Sequence, residues 1–384
     1  MNTATRTTAN DTALFIGSPR LADGPASSSN ILHAMSTLEI RHRVGVCGLA
    51  AILTLAACSS GSAARAVPPV RSDTLPARLD NGAAGLPQAF PPGHVEPARA
   101  CGDPVRATPR SIVTRVLPDG PRAPDGSLAF TSGVCVYLPP GYAKSALRYP
   151  VLYLLHGGGG DAADAVMFGH LRELMDARVA QDPRNAEIVV MPDGKIGHWY
   201  DSSDGTFQNE RYVMGSVVGY IDRHFRTIAT RAGRAIDGVS NGGHGAMLLA
   251  AKHPGQFAVA GGMSSNLDAL TLPGLGDPRG SYYRKNHPAD LVAALDHTDV
   301  ILDIGSRCTS TLPADLCATQ VVDQAFLGAN RAFVAALRAR PGRTGALVSR
   351  ETDSSHQWIW WNRILRDEHL PFIAAHLARP ERAG

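Results

Sequence analysis

Ser240 stands in the stretch Asp237-Gly238-Val239-Ser240-Asn241-Gly242-Gly243-His244-Gly245, between a short apolar run and a segment of small residues. A serine hydroxyl is a weak nucleophile until a base takes its proton, and it must stand clear of the chain for that base to reach it. A sharp strand-to-helix turn achieves this. It holds the serine in strained backbone geometry with its hydroxyl outward, and glycines at Gly238 and Gly242 avoid collision with the neighbouring strand or helix. The chemistry such a serine could do is acyl transfer. That needs a base, a group that orients the base, and donors aimed at the developing oxyanion. A GxSxG pattern arises by chance in glycine-rich chains, so the surrounding residues decide.

Donors are available where the apolar run Val151-Leu152-Tyr153-Leu154-Leu155 leads into His156-Gly157-Gly158-Gly159-Gly160. Unhindered backbone N–H groups there, Gly158 above all, would form an oxyanion hole with the N–H of Asn241. A phosphate-binding loop is the rival use of such glycines, but neither GxGxxG nor a following GK[ST] is present. Of the 14 histidines, His356 is the candidate base because it follows the last expected strand. His244 lies one helical turn beyond Ser240 and His156 within the glycine loop, and both read as structural. Trp199, on a loop with Tyr200 and Asp201, is a candidate for lining the substrate cleft, with core or lid packing as the alternative.

These residues need a scaffold. Ser111–Leu117 and Val134–Leu138 alternate or run apolar and stop at Pro/Gly turns, which predicts an opening antiparallel pair. Val151–Leu155 and Ile188–Met191 are continuous apolar runs of the kind buried on both faces of a parallel sheet. A helix is expected from Glu210 to Phe225, with Val213, Met214, Val217, Val218, Ile221 and Phe225 on one face. The elbow and a helix over 245–252 follow, then strands at 257–260 and 300–304, a helix through Val322, Phe326, Asn330, Phe333 and Leu337, a strand at 346–348 and a Trp-rich terminal helix. Alternating strands and helices imply a mostly parallel sheet covered on both faces. With serine before histidine in the chain, this is the order of an α/β-hydrolase fold.

The 384 residues are 44% hydrophobic and 18% charged, enough for one catalytic-sized domain with unstructured flanks. Net charge is +3 with no basic block, so nucleic acid is not an expected partner. Arg41-His42-Arg43 followed by an apolar run from Val44 to Ala57 reads as an export signal. Its end, Leu55-Ala56-Ala57-Cys58-Ser59, resembles a bacterial lipobox, which would make Cys58 a lipidation site anchoring the protein to the outer face of the cytoplasmic membrane. An ordinary signal peptide containing a cysteine is the alternative. Met35 is the expected physiological start. The expected organisation is therefore an extension and signal over 1–57, an Ala/Pro/Gly-rich tether over 58–100, and a catalytic domain over 101–384. In an oxidising compartment Cys101, Cys135, Cys308 and Cys317 allow three pairings, of which Cys101–Cys135 with Cys308–Cys317 is the simplest; unpaired buried thiols are the alternative. No cysteine–histidine spacing supports a metal site, and the chemistry calls for no cofactor.

LYLLHGGGG, VVMPDG, GVSNGGHGAM and SHQWIWWNRIL together resemble the esterase D-like serine hydrolases, which include the antigen 85-type mycolyltransferases. The resemblance spans about 110 to 377. It implies that His356, ahead of an aromatic segment ending in Trp361-Asn362, is the base, and that the acid lies six or seven residues before an Asn on a helix. Counting back from Asn330 gives Asp323. The usual place for the acid, just after Gly305-Ser306, holds Arg307 and Cys308, and an insertion containing Cys317 intervenes. Asp303 is the main competitor, but sits mid-strand; Asp315 lies in the insertion, and Asp353 is close to His356 in sequence. The loop beginning His156-Gly157 looks more like the esterases than the mycolyltransferases, whose loop begins Asp-Gly. The expected function is an exported serine esterase acting on small-molecule or lipid esters. An envelope acyltransferase that passes the acyl group to a sugar hydroxyl is the near alternative, and a non-catalytic binding lipoprotein the distant one.

Overall fold

A computed structural model describes Cys101, the backbone of 112–116, and residues 133–194, 198–268, 272–309 and 314–382, with 314 and 315 as backbone only. All belong to one unit, Pro76–Gly384. The expected start at Met35, the signal, Cys58 and the tether lie outside the described residues. Among the described residues no helix is long and apolar enough to cross a membrane.

Among the described residues ten strands occur: β1 (Ile112–Val116), β2 (Gly133–Tyr137), β3 (Leu147–Arg148), β4 (Val151–Leu155), β5 (Ile188–Pro192), β6 (Arg234–Gly238), β7 (Val259–Met263), β8 (Asp299–Arg307), β9 (Leu347–Asp353) and β10 (Glu381–Arg382). Eight form one sheet in the order β1-β2-β5-β4-β6-β7-β8-β9, and β3 pairs with β10. β1 with β2 and β2 with β5 are antiparallel. From β5 through β9 every pair is parallel. β4 and β6 are the central pair, so the loops after them, the glycine loop and the elbow, leave the sheet side by side.

The helices are α1 (Asp164–Met167), α2 (Leu171–Gln181), α3 (Asn209–Arg211), α4 (Val218–His224), α5 (Asn241–Lys252), α6 (Ser281–Lys285), α7 (Gln320–Arg338), α8 (Trp358–Ile364) and α9 (Leu370–His376). Alternation along the strands divides the core into two layers. Tyr153, Leu155, Ile236, Val300 and Leu302 pack with Met247 of α5 and Phe333 and Leu337 of α7. Leu152, Leu154, Val189, Met191 and Ala235 pack on the other face with Leu171 and Met175 of α2 and Trp361, Ile364 and Ile373 of the C-terminal helices. This two-sided burial explains the uninterrupted apolar runs of the parallel strands.

The helix expected over Glu210 to Phe225 occurs, but Tyr212–Val217 is a π-helical turn joining α3 to α4. A second π-helical turn, Leu365–His369, joins α8 to α9. Cys101 is bonded to Cys135, and Cys308 to Cys317.

Candidate active site

Ser240 is the N-cap of α5 with φ 56° and ψ −120°, a backbone region that side chains disfavour. The fold holds it there from both sides. Its N–H donates to Met263 O at 2.9 Å, and its carbonyl accepts the Asn266 N–H at 3.1 Å. The glycines are required by contact. A Cβ added at Gly238 would lie 2.3 Å from the Gly242 carbonyl carbon, and one at Gly242 would lie 2.2 Å from Leu155 O. Strand, turn and helix are therefore packed backbone to backbone around the serine.

His356 lies three residues beyond β9. Its Nε2 is 2.9 Å from Ser240 Oγ, and its Nδ1 is 2.8 Å from Asp323 Oδ1. With Nδ1–H donating to Asp323, Nε2 is left to accept from the serine hydroxyl. Asp323 is wholly buried in the first turn of α7. Gly305 of β8 makes room for it: a Cβ there would meet Asp323 Oδ2 at 2.2 Å. Phe326 and Trp361 stand edge-on to the imidazole, with centroids at 5.7 and 4.9 Å, and restrict its rotation. The competing carboxylates are engaged elsewhere. Asp303 accepts from His369 Nε2 at 3.0 Å. Asp353 accepts the Thr309 N–H at 2.7 Å. The side chain of Asp315 lies outside the described residues.

The glycine loop is pressed against the elbow, since a Cβ at Gly157 would sit 3.2 Å from Ser240 Cβ. It turns tightly through Gly159, whose φ of +75° suits glycine, and the Gly160 N–H closes the turn on Gly157 O at 3.2 Å. Gly158 is exposed at its tip. Asn241 begins α5, where N–H groups have no intrahelical acceptor and the helix dipole favours negative charge. His156 braces the loop instead of entering the chemistry: Nε2 accepts the Gly194 N–H at 2.9 Å, and Nδ1 lies 2.8 Å from Gly157 O.

Of the two readings of Trp199, cleft lining and packing, its burial favours packing. It is fully buried. Its indole N–H donates to His156 O at 3.1 Å, and its ring fills a slot that Gly194 and Gly245 leave open, where a Cβ on Gly245 would come within 2.3 Å. A loop tryptophan thus serves as a wedge beneath the glycine loop. His244 is structural as expected, buried against Tyr200, and burial pushes its pKa down to about 3. The neighbouring His198 is lowered to about 4 by burial.

Two features had no local signal in the chain. Asn266 holds the elbow: besides its N–H bond to Ser240 O, its Nδ2 donates to Asn241 Oδ1 at 3.0 Å. Below the elbow, fully buried His369 bridges Asp237 Oδ2 at 2.7 Å and Asp303. Gly261, on the strand between them, leaves the slot, since a Cβ there would lie 2.5 Å from the Asp237 carboxyl carbon. Burial would push the imidazole pKa down, but the two carboxylates prevail and raise it to about 10. Among the described residues no group of His, Cys, Asp and Glu is placed to hold a metal ion.

Comparison with known proteins agrees with this architecture. The Esterase family model matches residues 127–372. Esterase Rv1288 of Mycobacterium tuberculosis is 37% identical over 139 residues, which cover 35% of this chain and 29% of that protein. The diacylglycerol acyltransferase/mycolyltransferase Ag85A of Mycobacterium gordonae is 27% identical over 204 residues, 45% of this chain and 59% of that one. The chain thus spans less than two thirds of these curated relatives' lengths. Among solved structures, a ferulic acid esterase superposes with a TM-score of 0.54 at 24% identity, covering 69% of this chain and 98% of that one. MPT51 of Mycobacterium tuberculosis does so with a TM-score of 0.53 at 19% identity, covering 71% of this chain and all of that one. Both share the fold, a mostly parallel sheet with helices on its two faces. The chain belongs to the Esterase family.

Proposed function

We propose that the protein is a serine esterase that cleaves carboxylic esters through an acyl-enzyme on Ser240. The continuous hydrogen-bonded chain from Asp323 through His356 to Ser240 carries this proposal. His356 Nε2 takes the serine proton as Oγ attacks the ester carbonyl, and Asp323 holds the tautomer and stabilises the imidazolium. The N–H groups of Gly158 and Asn241 receive the oxyanion, and the imidazolium then protonates the departing alcohol. A water molecule, deprotonated by the same imidazole, releases the acid. Small-molecule or lipid esters are the substrate class.

A second acceptor is favoured by one observation, the similarity to a protein named diacylglycerol acyltransferase/mycolyltransferase. In that reading a sugar hydroxyl replaces water in the second half-reaction, with the same residues. The loop beginning His156-Gly157 favours the esterase. We further propose that the chain is exported and lipid-anchored at Cys58, with 58–100 as tether to a catalytic domain over 101–384. Cys58→Ala should then move the protein from the membrane fraction to the soluble one.

Hydrolysis of p-nitrophenyl acetate tests the activity. Ser240→Ala should lower kcat by at least about 10³-fold while leaving the thermal transition in place. Retention of wild-type turnover by this variant would refute the proposal. Supplying trehalose or another polyol in the same assay separates transfer from hydrolysis.

A further inference from the structure

The insertion between β8 and α7 displaces Asp323 from the end of its strand, and it ends in a disulfide that the proposed chemistry does not use. Its hydrogen bonds converge on one place. The Ser354 N–H donates to Arg307 O at 2.9 Å. The next residue, Ser355, is fully buried, and its Oγ donates to Leu316 O while accepting from Thr319 Oγ1 at 3.3 Å. Trp360 Nε1 donates to the same Leu316 carbonyl at 3.3 Å. His356 therefore sits between donors whose acceptors are Arg307 O on one side and Leu316 O on both.

Those two carbonyls belong to the residues immediately before Cys308 and Cys317. The disulfide joins those two cysteines, with their Cα atoms 5.5 Å apart. The same short 3-10 turn, Ala314–Cys317, leads directly into α7, whose first turn carries Asp323. Base and acid are thus referred to a single covalent cross-link.

We propose that the Cys308–Cys317 disulfide is a positioning device of the acyl-transfer site, holding Arg307 O and Leu316 O where they orient the His356 segment against Asp323 and Ser240. This rests on the esterase reading above. A serine–imidazole–carboxylate chain tolerates little displacement: about 1 Å of misplacement costs roughly a hundredfold in rate. The second disulfide provides a contrast. Cys135 lies on β2, near the opposite edge of the sheet from β8 and β9.

The test compares Cys308→Ser/Cys317→Ser, Cys101→Ser/Cys135→Ser and Ser355→Ala in the full chain. Turnover of p-nitrophenyl acetate is expressed per site labelled to completion by a fluorophosphonate. The Cys308/Cys317 variant should lose about ten- to a hundredfold in kcat with KM within about twofold, and the acid limb of its kcat/KM–pH profile should move. Ser355→Ala, with the cross-link intact, should lose kcat in the same direction to a smaller extent. The Cys101/Cys135 variant should melt earlier yet keep its kcat per site. A Cys308/Cys317 variant with kcat and pH profile within twofold of wild type would reduce the disulfide to a stability element and overturn the proposal. Should that variant fail to fold, an unchanged kcat in Ser355→Ala overturns it equally. Failure of wild type to label or turn over would instead sink the esterase reading and this proposal with it.

Discussion

Gly305→Ala is the smallest perturbation that addresses the carboxylate. The added Cβ would lie 2.2 Å from Asp323 Oδ2 and 2.6 Å from Ser354 O. Ordinary contact begins near 3.4 Å, so the carboxylate and the Ser354 carbonyl must each give way by about 1 Å. Asp323 is wholly buried and held in a helix, and Ser354 is two residues before His356. Either movement lengthens the 2.8 Å bond between Asp323 and His356 Nδ1. A displacement of this size should lower kcat by about 10²-fold, approaching roughly 10⁴ if the imidazole tautomer is lost, with about 1–3 kcal/mol of overpacking destabilisation. Steady-state hydrolysis of p-nitrophenyl acetate gives the first quantity and urea unfolding the second. A variant that folds and keeps kcat within threefold of wild type would refute the assignment of Asp323 as the orienting group.

The two buried carboxylates should separate cleanly by substitution. Asp323→Asn should cut kcat by about 10³–10⁴-fold at little cost in stability, whereas Asp303→Asn should act mainly on the unfolding midpoint; equal kcat losses in both would contradict the pairing of Asp303 with His369. Stability should also titrate. His244, lowered to about 3 in the fold, binds a proton in the unfolded chain below its ordinary value near 6.5, so stability should fall as pH drops from 6.5 towards 3, by up to about 5 kcal/mol from this residue. His244→Leu should flatten the acid limb of a urea-midpoint profile, and an unaltered limb would count against it. His369, raised to about 10, works in the other direction: its contribution is complete below about 6.5 and is lost as pH rises through 10. Unfolding free energies from urea titrations between about pH 7 and 10.5 should decline by a few kcal/mol, and those of His369→Gln should start lower and decline less.

The sequence carries the candidate reacting groups more clearly than their supports. Ser240 and His356 were legible because each stands where a strand must end and because glycine spacing betrays a close backbone approach. Gly238 and Gly242 do meet the chain at contact distance. Asp323 could be reached only by counting from Asn330, since the insertion breaks its link to β8. Trp199 stays open between cleft lining and packing in the sequence because an aromatic residue on a loop carries no sign of which way it packs. Its seat depends on Gly194 and Gly245, which lie five residues before it and far along the chain. The π-helical turn Tyr212–Val217 was hidden for a related reason: one extra residue per turn leaves the apolar face nearly continuous. α2 escaped although Leu171, Leu174, Met175 and Val179 are spaced helically and buried. The Asp237–His369–Asp303 bridge joins residues 132 and 66 positions apart, which no local period can connect.

The claim that Ser240 is the nucleophile is tested most directly by reacting the native protein with a fluorophosphonate and mapping the adduct by peptide mass spectrometry. One adduct should form, on the peptide containing Ser240, and both it and ester hydrolysis should disappear in Ser240→Ala and slow greatly in His356→Ala. An adduct on another residue, or active wild-type enzyme with Ser240 unmodified, would contradict the account.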